Sequence, residues 1–143
     1  MVEGLAAAVT ADALPLAPGL PRRYAKLLAT AEYDVWLIAW AAGGALELHD
    51  HGGSTGVARV VEGELIEMYT DLAARHPLRS ATLGTGDSVA VASTRVHEVW
   101  NPGPGRALSV HAYSPPLATM TFFDHRPGHF LEPRRTECAA LVG

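Results

Sequence analysis

The sequence predicts an all-β fold, either a sandwich or a barrel. Short runs rich in β-branched and aromatic residues recur at intervals of about 8–12 residues, the spacing typical of such folds. Gly, Pro, Asp or Ser separates nearly every pair of runs. No helix-length pattern lies between the runs, which argues against a parallel α/β sheet.

One helix is expected before the strands, over residues 20–29, because apolar residues there recur at helical spacing behind Pro21. Gly63 and Glu64 stand between two apolar runs and predict a tight hairpin. Residues 101–105 carry two prolines and two glycines and predict a loop that joins two strands. The predicted strands are 33–40, 56–63, 64–70, 78–83, 88–93, 97–101, 106–113 and 118–124.

The length of 143 residues predicts one domain with one core. We expect an N-terminal arm over residues 1–19, the β domain over 20–125, and a C-terminal tail over 126–143. The tail is turn-rich and charged, so it is predicted to be an extended arm or partly disordered.

Charge and cysteine usage exclude several classes of function. Eleven Lys and Arg against fifteen Asp and Glu give a net charge of −4, and no basic run could neutralise a phosphate backbone or a membrane surface. Nucleic acid and membrane partners are therefore not expected, and no stretch approaches the roughly twenty apolar residues of a membrane span. Cys138 is the single cysteine, which excludes an internal disulfide and any CxxC motif. With no convincing signal peptide in the first ten residues, a reducing, cytoplasmic location is expected.

Three of the seven histidines predict a metal site. His49 and His51 stand two residues apart at the end of a strand, which sends both imidazoles to the same face. Such a pair needs further ligands, and His97 is the best candidate because it opens a later strand. Three further histidines are expected at the surface: His76, His125 and His129.

The two histidine blocks resemble the paired motifs of the cupin superfamily, whose small β-barrel holds a metal. Gly43 stands six residues before His49, and Gly63 ends the first block. The carboxylate ligand that many cupins carry in this block falls at Gly56, and a three-histidine cupin resembles the thiol dioxygenases, the cysteine dioxygenase-like family. Further strings look like that family's motifs in order and approximate spacing: HDHGGSTG (49–56), HEVWN (97–101), SVHAYSPP (109–116) and TFFD (121–124).

This resemblance implies a cupin barrel over 20–125 and a non-haem iron(II) enzyme. Such an enzyme inserts both atoms of O2 into the sulfur of a small thiol carboxylate, cysteine or 3-mercaptopropionate, and gives the sulfinate. Three neutral imidazoles leave the metal its full positive charge, which suits an anionic thiolate. Some members carry a thioether between the tyrosine and a cysteine beside the first block, and Gly56 excludes that cross-link here.

A polar row, Ser109, His111 and Tyr113, alternates with apolar residues on one strand. In the family this row is a relay in which the tyrosine hydroxyl lies near iron and substrate, the histidine holds the tyrosine, and the serine holds the histidine. The alternative is that the row faces water while the apolar row fills the core.

The substrate carboxylate is held in this family by a residue that precedes the first block. Of the basic residues in that segment, Arg23 and Lys26 are the predicted candidates, and each could instead be a solvated charge. Two other functions stay open. One is a cupin that binds a metal or small ligand for sensing and has no oxygenase activity. The other, a zinc or manganese isomerase or epimerase, is disfavoured because those cupins commonly keep the carboxylate ligand.

Overall fold

The protein is described by a computed structural model that covers residues 22–126 and 130–139. The elements of regular structure in these ranges are β-strands. They are β1 Arg22–Ala29, β2 Asp34–Trp40, β3 Ala45–His49, β4 Thr55–Glu62, β5 Glu64–Asp71, β6 Arg79–Gly84, β7 Ser88–Val91, β8 Arg95–Trp100, β9 Ala107–Ser114, β10 Thr119–Asp124 and β11 Glu132–Cys138.

The strands form two antiparallel sheets, as the sequence predicts for an all-β cupin barrel. The five-stranded sheet has the order β1-β2-β9-β4-β7, and the six-stranded sheet has the order β11-β10-β3-β8-β5-β6. Each of the eight predicted strands overlaps one of these elements. Sequential strands often lie in different sheets, so the chain encloses its core by passing repeatedly from one sheet to the other.

The core between the sheets draws apolar side chains from both. Trp40 and Val60 come from the five-stranded sheet, and Leu65 and Val99 come from the six-stranded sheet, and all four are almost fully buried in one cluster. A second cluster, with Leu37 among its members, lies on the other face of the five-stranded sheet. Both faces of β2 and β9 are therefore buried, which explains their nearly continuous hydrophobic sequences.

The helix predicted over residues 20–29 is wrong for residues 22–29, which form β1, while residues 20 and 21 lie outside the described ranges. β1 pairs with β2 in antiparallel register, with Arg22 opposite Trp40 and Lys26 opposite Trp36. This pairing satisfies the backbone groups that β2 would otherwise present along an open edge. Helical spacing is only a local signal, and the long-range strand pairing overrides it.

Gly63 does not close a hairpin, contrary to the sequence prediction. β4 and β5 lie in different sheets, so Gly63 turns the chain from the five-stranded sheet into the six-stranded sheet. Its φ of +80° favours glycine, and a Cβ here would lie 2.7 Å from the carbonyl oxygen of Arg106. The loop predicted over 101–105 is confirmed, and it carries the chain from β8 in one sheet to β9 in the other.

The sheet continues beyond residue 125, the end predicted for the β domain. β11 pairs with β10 along its length, for example Thr121 with Thr136, and Ala139 packs beside Trp36 and Tyr113. This part of the predicted tail therefore belongs to the fold, because an extended segment can complete the edge of β10. Among the described residues, no helix has the length and apolar character that crossing a membrane requires.

Candidate metal centre

The imidazoles of His49, His51 and His97 converge inside the barrel. His49 is the last residue of β3, and His97 lies directly opposite it on β8. His51 follows β3 by two residues. One nitrogen from each ring lies within 4.8 Å of the others, and all three side chains are buried. Pairing between β3 and β8 thus brings together residues that are distant in sequence.

Hydrogen bonds hold two of these rings with one nitrogen directed away from the centre. Nδ1 of His49 lies 2.6 Å from the carbonyl oxygen of Glu47, and Nδ1 of His97 lies 2.7 Å from Oε2 of Glu67. Because only a protonated Nδ1 can donate to these oxygens, Nε2 of both rings carries the lone pair in the neutral form. These two rings therefore present the tautomer that a metal ligand requires.

The spacing of the His51 and His97 donor atoms fits a metal ion. Nε2 of His97 lies 3.2 Å from Nε2 of His51. Two nitrogens bound at about 2.1 Å in octahedral or tetrahedral geometry are about 3.0–3.4 Å apart. Nδ1 of His51 is buried without a hydrogen-bond partner among the described residues. These three histidines therefore form a donor set that could hold a metal ion.

Burial keeps His49 and His51 neutral. Desolvation, followed by the neighbouring His97, lowers the pKa of His49 and of His51 well below the ordinary value. Neutral imidazoles do not have to lose a proton before they bind a cation. The site is therefore prepared for a metal at neutral pH.

No carboxylate from the first histidine block reaches this centre. Gly56, the position at which other cupins have their acidic ligand, lies on β4 opposite Tyr113 of β9. A Cβ on Gly56 would lie 2.8 Å from Cδ1 of the Tyr113 ring. Glycine is therefore the residue that lets this tyrosine pack against β4. Cys138, the only cysteine of the chain, is free and exposed on β11.

Ser109, His111 and Tyr113 of β9 face the barrel interior, and all three are buried. The indole Nε1 of Trp40 donates a 2.9 Å hydrogen bond to Oγ of Ser109, which lies 2.7 Å from Nε2 of His111. The His111 and Tyr113 rings are nearly parallel, with centroids 6.3 Å apart. Tyr113 also stacks on the ligand His51 at 5.2 Å. The row therefore ends beside the metal site.

Burial also fixes the protonation of this row. Desolvation, with a smaller contribution from His97, lowers the pKa of His111 to about 3, so its ring is neutral. Desolvation, and then the charge of Asp34, raises the pKa of Tyr113. Tyr113 consequently keeps its phenolic proton at neutral pH and can donate a hydrogen bond.

A small cavity borders Tyr113, the residue whose ring stacks on His51. Its volume is about 40 Å³, and its lining includes Arg22, Tyr24, Trp36 and Tyr113. Trp36 is 6% exposed, and its indole N–H is buried without a partner among the described residues. The cavity therefore combines an apolar wall with a cation and an available donor.

The two predicted carboxylate-binding residues lie on opposite faces of β1. Lys26 lies on the same face as Tyr24, and its Nζ is 4.9 Å from the centre of the Trp36 ring. Arg23 pairs with Ala39, whose side chain belongs to the cluster on the outer face of the sheet. Lys26 thus lies over Trp36, one of the residues that line the cavity, whereas Arg23 lies on the opposite face of β1.

Three charged residues near the site were not selected from the sequence. Arg22 lines the cavity and donates a 2.8 Å hydrogen bond to the carbonyl oxygen of Ala45. Glu67 is 1% exposed and binds both His97 and Arg95. One signal was available, because Glu67 shares the inward face of β5 with Leu65, and a carboxylate on a core face requires a buried partner.

Of the three histidines predicted at the surface, the structure describes two. His76 is half-buried beside Thr70, and His125 is exposed after β10. His129 lies outside the described residues.

Comparison with known proteins agrees with the site. The model of the family "Cysteine dioxygenase type I" matches residues 21–126. Cysteine dioxygenase type 1 of Danio rerio is 29% identical over 109 residues, which cover 68% of this chain and 53% of the relative. The Rattus norvegicus protein of the same name is 27% identical over 107 residues, covering 68% of this chain and 52% of the relative. The chain thus spans about half the length of the curated relatives it matches.

Solved structures with low identity share the fold. A recombinant oxalate oxidase in complex with glycolate has a TM-score of 0.63 and 21% identity, over 74% of this chain and 56% of that one. A cupin domain of an XRE-family transcriptional regulator from Enterobacter cloacae has a TM-score of 0.55 and 19% identity, over 66% of this chain and 96% of that one. These similarities establish the cupin fold and nothing about chemistry.

The family model spans most of the strands that build the barrel, including those that carry all three histidines and the Ser109–Tyr113 row. With its buried three-histidine site, this chain belongs to the cysteine dioxygenase type I family.

Proposed function

We propose that the protein is a non-haem iron(II) thiol dioxygenase that converts a small thiol carboxylate, cysteine or 3-mercaptopropionate, and O2 to the sulfinate. The observation that carries this proposal is the set of three buried imidazoles without an acidic ligand, with the Tyr113 ring stacked on one of them. Neutral ligands leave the charge of a divalent cation uncompensated, which favours an anionic thiolate. The proposed ligands are His49, His51 and His97.

The reaction balances without an external reductant. A thiol and O2 give a sulfinic acid: the S–H and O–O bonds break, two S–O bonds form, and the thiol proton ends on a sulfinate oxygen or in water. O2 accepts the four electrons that sulfur loses. The chemistry supplied by bound iron(II) is coordination of thiolate and O2 and transfer of electrons between them. The protein must therefore orient the thiol and provide a donor where negative charge develops.

Tyr113 is proposed as that donor. Its raised pKa keeps the phenol protonated, and its ring lies against the ligand His51. Ser109 and His111 are proposed as positioning residues, since they form a buried hydrogen-bonded pair on the same face of β9. A fixed donor needs little reorganisation when charge develops, which is the main advantage of a protein site over water.

The substrate carboxylate is proposed to lie towards β1. Lys26 supplies a cation beside the Trp36 ring, and Arg22 supplies a second cation on the cavity wall. The unpartnered N–H of Trp36 adds a neutral donor. Of the two residues named from sequence, Lys26 is favoured over Arg23, because Arg23 faces the other side of the sheet. The proposed location is the reducing cytoplasm, where the free thiol of Cys138 is stable.

The test is product formation by the iron-loaded protein. Iron(II) is added under anaerobic conditions, and O2 uptake and sulfinate are measured with cysteine, 3-mercaptopropionate and cysteamine, which lacks a carboxylate. We expect one O2 consumed per sulfinate and the highest kcat/KM with a carboxylate-bearing thiol. The His97→Ala variant is the control and should retain no iron.

The proposal would be contradicted if the protein binds iron but forms no sulfinate from any of the three thiols. That outcome would favour the alternative, a cupin that binds a metal or small ligand for sensing without oxidation.

A further inference from the structure

Glu67 is a carboxylate buried in the barrel beside the metal site. It lies on β5 and is 1% exposed. A buried charge is tolerated only when charged or hydrogen-bonding partners compensate for the loss of water. The identity of its partners therefore indicates what this residue does.

Two side chains of β8 share the Glu67 carboxylate. His97 Nδ1 lies 2.7 Å from Oε2, while Arg95 contacts Oε2 through Nε at 3.1 Å and Oε1 through Nη2 at 2.7 Å. Arg95 and His97 are two residues apart on one strand, so both reach Glu67 from the same face. The Arg95 guanidinium is also held over the Tyr69 ring at 3.9 Å.

Arg95 and Glu67 form an ion pair with two nitrogen–oxygen contacts, which compensates for the burial of the carboxylate. Burial alone would raise the pKa of Glu67, but the hydrogen bonds from His97 and Arg95 outweigh it and the pKa is lowered. The carboxylate of this ion pair lies at the Nδ1 side of His97. Because Oε2 accepts from both residues, the Arg95 cation competes with His97 for the same lone pairs.

We propose that Glu67 is a positioning residue for the metal ligand His97, and that Arg95 limits how strongly its carboxylate attracts the Nδ1 proton. The bond to Glu67 fixes the tautomer and ring orientation of His97 and makes Nε2 a stronger donor to the cation. Arg95 reduces this effect because it contacts the same carboxylate oxygen as His97. This inference rests on the proposed role of His97 as an iron ligand.

The two residues should therefore have opposite effects on the metal. Glu67→Gln keeps the shape and removes the charge, so iron(II) affinity should fall about 10–100-fold and the Fe(III)/Fe(II) potential should rise. Arg95→Met leaves the carboxylate to His97 alone, so the potential should fall and iron(II) should bind no more weakly. A purely structural role would weaken binding in both variants.

Iron(II) affinity is measured by competition with a chelator, and the Fe(III)/Fe(II) potential is measured by redox titration. Both measurements use the full chain and begin with the wild type. Glu62→Gln is the matched control, because Glu62 forms a 3.4 Å ion pair with Arg106 that is more exposed; its values should match wild type. If Glu67→Gln does not fold, the Glu67→Gln/Arg95→Met double variant is measured in its place. We expect the same loss of iron(II) affinity in that variant.

Wild-type affinity separates the two proposals. Failure of the wild type to bind iron(II) would overturn the metal assignment itself. Two results would overturn only the role of Glu67 and Arg95. One is that wild type binds iron(II) and a folded Glu67→Gln variant has an iron(II) affinity within about threefold of it. The other is that the potential shifts in the same direction in both variants.

Discussion

Tyr113 combines three properties that few tyrosines share. It is buried, its ring stacks on the ligand His51, and it borders the cavity near the cations of β1. Gly56 leaves the space into which its ring packs. The hydroxyl is therefore the group whose removal tests the chemistry with the least change in shape.

Tyr113→Phe should retain iron and lose turnover. Removing one positioned donor costs roughly 100-fold in kcat, and sulfinate formed per O2 should also decrease. The measurement is kcat and coupling on protein whose iron content equals that of wild type. Tyr33→Phe is the control, because Tyr33 packs on the outer face of the five-stranded sheet. Unchanged kcat and coupling in Tyr113→Phe would remove this residue from the mechanism.

β1 decides which basic residue can reach the substrate. Successive residues of a strand face opposite sides, so Lys26 and Arg23 cannot both lie at the cavity. The register places Lys26 opposite Trp36 and Arg23 opposite Ala39. Charge alone does not distinguish the two residues, but their pairing partners do.

Lys26→Met should raise KM for the carboxylate-bearing thiol about tenfold, equivalent to about 1.4 kcal/mol of binding free energy. Because cysteamine has no carboxylate, its KM should not change. Arg23→Met on the same strand is the matched control and should leave both KM values near wild type. Equal effects on the two thiols would show that Lys26 does not bind the carboxylate.

The whole molecule carries several histidines that are buried in the neutral form. The pKa of His111 is about 3, and burial lowers the pKa values of His49 and His51 as well. In the unfolded chain, histidine takes up a proton near pH 6.5. Below that pH the unfolded state binds more protons than the folded state, so stability is full above pH 6.5 and decreases as the pH falls towards the folded values.

The metal-free protein should therefore lose about 1.4 kcal/mol of unfolding free energy per pH unit for each such histidine, once the pH is well below 6.5. Urea unfolding between pH 4.5 and 6.5 measures this, because carboxylates contribute mainly at lower pH. His111→Asn should reduce the slope, whereas His125→Asn, which alters an exposed side chain, should not. A flat profile in this range would contradict the neutral burial of these rings.

Local pattern was sufficient for much of the fold and for grouping His49 with His51, whereas His97 reaches them through the pairing of β3 with β8. Alternation along a strand fixes which residues share a face, so spacing alone groups His49 with His51, and Ser109 with His111 and Tyr113. The strand runs were equally local signals. The same local reasoning failed at β1 and Gly63, where pairing with a distant strand or a change of sheet decides the outcome.

The sequence by itself determined the β-class of this protein and the pairing of His49 with His51, because both follow from local spacing, and it named His97 as a candidate because it opens a later strand. Only the tertiary structure decided that Glu67 and Arg95 meet His97, that Arg22 borders the cavity, and that Lys26 rather than Arg23 lies beside it. Those contacts join strands far apart in the chain. Their register is set by the packing of the whole barrel and not by the local sequence.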